Sequence, residues 1–75
     1  MGKLPSVSSR ECVAVLLKAG FYVDRQRGSH IILYRDDPYA KTIVPENREI
    51  PKGTLRRIIR DAGLTVDEFV ELLNS

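Results

Sequence analysis

The sequence predicts an α+β sandwich: a three-stranded antiparallel sheet with helices over one face. Three observations carry this reading: helical apolar spacing behind clear helix starts, short strand-like runs separated by turn residues, and the order α-β-β-β-α-α in which they fall.

The first helix is predicted to start at Ser8, because Ser8 and Glu11 have the spacing of a capping box, and to stop before Gly20. Val13, Leu16 and Leu17 form its expected apolar stripe. Phe21 to Arg25 alternates as a half-buried strand with Phe21 and Val23 inward, and Gln26-Arg27-Gly28-Ser29 is the turn that follows. In the second strand, His30 to Arg35, a period of two sets Ile31 and Leu33 on one face and His30, Ile32 and Tyr34 on the other. Asp36 to Ala40 carries turn chemistry, and Lys41 to Val44 makes a short third strand ended by Pro45. After a polar loop, Glu46 to Ile50, Pro51 suits the first turn of a helix with the stripe Leu55, Ile58, Ile59 and Ala62, ended by Gly63. The last helix opens at Thr65, with Glu68 completing a second capping box, Leu64 set to staple against Phe69, and Val66, Phe69, Val70 and Leu73 buried. The sheet face opposite the helices is left free for function.

Residues 1–75 carry no repeat and no linker-like tract, and read as one domain. A chain this short argues against an elaborate enclosed pocket and suits a shallow site that reads a long partner, such as nucleic acid or another protein. The lone Cys12 excludes an internal disulfide; with one histidine, no thiolate and imidazole zinc cage is available. Cys12 itself reads as an ordinary small helix residue. The opening Met1-Gly2-Lys3-Leu4-Pro5-Ser6 lacks the apolar run of a signal peptide and no stretch is long enough to span a bilayer, so a cytoplasmic protein with no membrane partner is expected. The net charge of +2 decides little, but its distribution is informative: Arg25 to Arg60 holds nine Lys or Arg against four acids, and every charge from Asp61 onward is acidic. The middle of the chain is the candidate nucleic-acid surface, and the alternative is a mixed-charge surface that keeps a small domain in solution.

His30 is the only side chain of a type that titrates near neutral pH, which makes it the first choice for moving a proton. RNA cleavage needs little more, since the 2′-hydroxyl is an internal nucleophile beside the scissile phosphate. Arg25 and Arg27 lie close in sequence to supply positive charge, Gly28 allows a tight turn and close approach of a phosphate, and Ser29 offers a hydroxyl. The bland alternative is an exposed loop histidine. A second proton-transfer group would have to come from Tyr22, Tyr34, Lys41, Lys52 or water. Lys52, Arg56, Arg57 and Arg60 gather at the start and outer face of the second helix, either as a phosphate clamp or as a solvated face with an Arg57–Asp61 pair. Tyr34 and Tyr39 are expected to pack or face solvent rather than stack bases. The second and third helices could form a helix-turn-helix DNA reader, but the would-be recognition helix presents Asp67, Glu68 and Glu71 to phosphates.

Taken together, Gly20-Phe21, Arg25-Gln26-Arg27-Gly28-Ser29-His30, Val44-Pro45, Pro51-Lys52-Gly53-Thr54-Leu55-Arg56 and Asp61-Ala62-Gly63-Leu64 resemble the HicA family of type II toxin–antitoxin systems. The resemblance implies a double-stranded-RNA-binding-like fold, α-β-β-β-α, and ribosome-independent messenger RNA cleavage by an mRNA interferase. It also implies catalysis by His30, the histidine of the Gly-Ser-His element, and a HicB-type antitoxin that blocks it. No cofactor or metal is implied. Many relatives have a second histidine shortly after the Val-Pro pair, where this chain has Glu46-Asn47. The helix from Thr65 to Leu73 extends beyond the shortest relatives, and is expected to extend the core rather than serve self-association or antitoxin contact.

The reading is therefore a metal-independent endoribonuclease with His30 as general base or acid, Arg27, Gly28 and Ser29 at the scissile phosphate, and Lys52, Arg56 and Arg57 on flanking RNA. Its rivals are a non-cleaving RNA-binding module of the same fold and a helix-turn-helix DNA-binding protein.

Overall fold

A computed structural model of the chain describes residues 3–75; Met1 and Gly2, part of the stretch read for a leader, lie outside the described residues. The elements are α1 (Ser9–Lys18), β1 (Tyr22–Arg27), β2 (His30–Asp36), β3 (Tyr39–Pro45), α2 (Lys52–Asp61) and α3 (Val66–Asn74). This is the double-stranded-RNA-binding-like order with one further helix.

Both capping boxes form. The Ser8 hydroxyl accepts from the Glu11 amide while the Glu11 carboxylate accepts from the Ser8 amide, and Thr65 and Glu68 repeat the exchange at α3. Each box satisfies two amide donors that a helix start leaves unpaired. Gly20 and Gly63 close α1 and α2 in the left-handed region, at φ 96° and 73°.

The sheet runs β1-β2-β3, antiparallel throughout. Its strands reach further than their apolar patterns suggest, because both hairpins turn on only two residues: Gly28-Ser29 joins Arg27 to His30, and Asp37-Pro38 joins Asp36 to Tyr39. Register then divides the residues cleanly. Ile31, Leu33, Thr42 and Val44 face the helices, and Leu33, Thr42 and Val44 are at most 1% exposed. His30, Ile32 and Tyr34, with their partners Pro45, Ile43 and Lys41, lie on the opposite face.

The core joins Leu33 and Val44 to Leu16, Leu55, Ile58 and Phe69, all fully buried. Four expectations need correction. Leu17 is half exposed, and Cys12 and Val15 take the buried stripe of α1 instead, one helical turn apart from Leu16 and Ala19. Val23 keeps its inward register opposite Leu33 yet is 46% exposed, because β1 is an edge strand lying beyond the helix layer. Ile50, assigned to a polar loop, is buried, and its amide donates to the Val7 carbonyl, which ties the loop to the segment before α1. In α3 only Phe69 is fully buried, and Leu72 rather than Val70 joins Val66 and Leu73 against the core.

Burial pushes the Cys12 thiol up to about 12. The folded thiol therefore stays neutral where an unfolded one, with an ordinary value of 9.0, begins to ionise. The folded pKa is raised, so its contribution to stability is whole below pH 9 and is lost as pH rises from there toward 12. Cys12 is expected to resist alkylation at pH 8 in the native protein and to react once denatured; labelling followed by mass measurement checks this. Rapid labelling of the folded chain would contradict its placement in the core.

Candidate nucleic-acid cleavage site

The free sheet face carries the site, and a bulge in β1 builds it. Strict alternation from an inward Val23 would turn Arg25 and Arg27 toward the helices. Instead the register slips between Val23 and Arg25, so that Arg25 pairs with Ile32 and Arg27 with His30. The extra residue at Asp24 thus moves two arginines onto the face that bears the histidine.

Here an open hollow of about 500 Å³ is lined by Arg27, His30, Ile32, Ile43 and Arg57. Ile32 and Ile43 are cross-strand partners and form its apolar floor, with His30 and Arg27 at one end. Arg57 arrives from the other layer. Its guanidinium reaches round the free edge of β3, donating to the Ile43 carbonyl at 3.0 Å and to the Asp61 carboxylate at 2.8 Å. Asp61 also accepts from the Thr42 hydroxyl at 3.4 Å. The expected Arg57–Asp61 pair is therefore present, and it fixes a cation at the hollow rather than removing it from the site.

The adjacent turn is braced. Gly28 adopts φ 60°, which a side chain would strain. The Glu46 amide donates to the Ser29 carbonyl at 2.7 Å, and the Gln26 side-chain amide donates to both the Gly28 carbonyl and the Glu46 carboxylate, each at 3.1 Å. These bonds hold the β1–β2 hairpin to the end of β3 beside His30. They also leave the His30 ring nitrogens unengaged among the described residues. Glu46 was not marked as a site residue by its sequence context; its position becomes visible only once Pro45 is seen to pair with His30.

The remaining basic residues are dispersed. Arg25 shares the outer face but is hydrogen-bonded to Asp24 at 2.8 Å, which raises its already high pKa. Lys52 donates to the Leu4 carbonyl at 2.9 Å, and neither it nor Arg56 lines the hollow. Arg35 belongs to the packing instead. It lies over the Phe21 ring at 4.8 Å and donates to the Ala19 and Ala62 carbonyls, at the ends of α1 and α2. Of the proposed second proton donors, Tyr22, Tyr34 and Lys41 sit together at the far end of the sheet, four residues along β2 from His30. Among the described residues no three His, Cys, Asp or Glu side chains cluster as metal ligands would.

Fold and site define a small α+β protein with a cationic surface hollow around one histidine. The model of the family described as HicA toxin of bacterial toxin–antitoxin matches residues 9–64, from α1 through the turn after α2. The chain belongs to this toxin family, and an antitoxin partner goes with that membership. A search of curated proteins returns no match. No helix among the described residues is long and apolar enough to cross a membrane.

Proposed function

We propose that the chain is a metal-independent endoribonuclease toxin that cleaves messenger RNA in the cytoplasm, with His30 as its catalytic residue. The observation that carries this reading is the meeting of an unengaged His30 ring with Arg27 and Arg57 in one open hollow. A phosphodiester seated there places a developing phosphorane charge between two guanidiniums, while the apolar floor strengthens their field. His30 takes the proton of the 2′-hydroxyl as its oxygen attacks phosphorus. The bond to the 5′-oxygen breaks, a 2′,3′-cyclic phosphate forms, and the leaving oxygen takes a proton from water or from the histidinium.

The other hollow-lining side chains are two guanidiniums and two isoleucines, which supports water as the second proton carrier. The Gly28-Ser29 turn and Arg27 hold the scissile phosphate, and Arg25, Lys52 and Arg56 meet flanking RNA. A HicB-type antitoxin would act by covering the hollow.

Incubation of the purified protein with a long RNA in excess chelator tests the chemistry. Fragments ending in cyclic or 3′-phosphate, with 5′-hydroxyl partners, are expected. Cleavage that requires an added divalent cation, or leaves 5′-phosphates, overturns the mechanism. Intact RNA that is nevertheless bound leaves a non-cleaving RNA-binding module, and stronger retention on duplex DNA at matched salt favours the DNA reader.

A further inference from the structure

Beyond the hollow, the same sheet face carries a second feature. All three tyrosines of the chain gather there: Tyr22 on β1 stands opposite Tyr34 on β2, and Tyr39 on β3 lies one step along. Ring centroids are 6.5 Å apart for Tyr22–Tyr34 and 6.2 Å for Tyr34–Tyr39, with interplanar angles of 30° and 47°. Tyr39 is 71% exposed and Tyr22 45%, and the helices cover only the other face. Lys41 sets its ammonium 5.7 Å from the Tyr34 ring, and the Tyr22 hydroxyl donates to Asp36, which fixes that ring at the rim.

We propose that Tyr22, Tyr34 and Tyr39, with Lys41, form a stacking platform for the bases of single-stranded RNA leading into the hollow. The proposal rests on the reading of the hollow as an RNA site and names the form of RNA it takes. Three arguments support it. Aromatic rings beside cations on an open sheet bind unpaired bases, whose π-faces are available as those inside a duplex are not. The platform is also continuous with the site: His30 and Tyr34 share one strand face four residues apart, roughly 13 Å at about 3.3 Å per residue, which a few extended nucleotides span. Finally, Arg27 and Lys41 border the path with positive charge, the Asp24 charge is balanced by Arg25, and Asp36, which accepts from the Tyr22 hydroxyl, lies at the end of β2 away from the hollow. Tyr34 and Tyr39 do pack and face solvent, as their sequence context suggests; what their spacing does not reveal is that Tyr22 joins them on one face.

The test uses the full chain carrying His30→Ala, so that RNA stays intact, and measures binding at one stated salt concentration. The probes are an oligouridine, an abasic oligonucleotide of equal length, and an RNA duplex. Tyr39→Ala is expected to weaken oligouridine binding by roughly 5- to 150-fold, the range of one base–aromatic stack, with abasic binding unchanged and Tyr39→Phe close to the parent. Tyrosine ring protons, all from this face, are expected to shift upfield on oligouridine addition. Equal oligouridine binding by Tyr39→Ala and its parent, equal losses on oligouridine and abasic probes, or duplex binding as tight as single-strand binding would each overturn the platform. Cleavage by the wild type is read separately: RNA cut without any Tyr39 dependence of binding removes the platform alone. Tyr39-dependent binding by a protein that never cleaves removes the ribonuclease reading and leaves the platform.

Discussion

Alanine at position 30 is expected to slow RNA cleavage by about a hundredfold to ten thousandfold, the contribution of one positioned general acid or base. RNA binding should change far less, because the proposed mechanism seats the phosphate on Arg27 and Arg57, whose placements do not depend on the imidazole. The Arg57 guanidinium is fixed by Ile43 and Asp61, and the Arg27 backbone by its strand pairing. The fold should also survive, since His30 is exposed at the end of β2 and contributes nothing to the buried cluster. His30→Gln sharpens the test: it keeps a hydrogen-bonding side chain that does not exchange a proton near neutral pH, and it should be as slow as alanine. Rates on a long RNA, with binding and melting temperature measured alongside, decide the matter. Undiminished cleavage would move the chemistry away from the hollow; loss of binding and cleavage in equal measure would make His30 a contact rather than a proton carrier.

Why the histidine could be picked out from sequence, and its surroundings only in part, follows from the range of the forces involved. Capping boxes at Ser8 and Thr65, the left-handed glycines and the two-residue alternation of β2 are local, and the structure keeps each of them. The same alternation applied to β1 fails after Val23, because a bulge is a property of two paired strands. That single slip decides whether Arg25 and Arg27 accompany His30 or turn away from it. Arg57 illustrates a second limit. Its pairing with Asp61 is legible at i, i+4, whereas its reach around β3 depends on how α2 lies against the sheet. Arg35 looked like part of a basic surface and serves the helix ends, a role set by the meeting of Ala19 and Ala62. Charge along the chain therefore marks a broad region, while tertiary packing selects which of its cations face the hollow.

Phe69→Ala is expected to remove a large share of the stability of the protein, although Phe69 lies beyond the residues that match the toxin family. The ring is fully buried in the same cluster as Leu16 and Ile58. Truncating a buried phenylalanine costs about 3–5 kcal/mol, since the lost burial is joined by a cavity the surroundings only partly fill. A chain of 75 residues has of order 4–11 kcal/mol in total, at about 0.05–0.15 kcal/mol per residue, so one ring carries from roughly a quarter of it to the whole. Polar contacts hold the helix in the same place: the Lys18 ammonium at the end of α1 donates to the Leu72 carbonyl at 3.0 Å and the Ser75 carbonyl at 2.9 Å, where a cation also suits the negative end of α3. Glu71→Ala, on the exposed side of α3, should stay within about 0.5 kcal/mol of the parent. Urea denaturation of the two variants separates the possibilities. A near-native Phe69→Ala protein would mean that the core is complete by Leu64 and α3 is an appendage; a chain already unfolded without denaturant would mean that the hollow on the far face depends on a helix in the opposite layer.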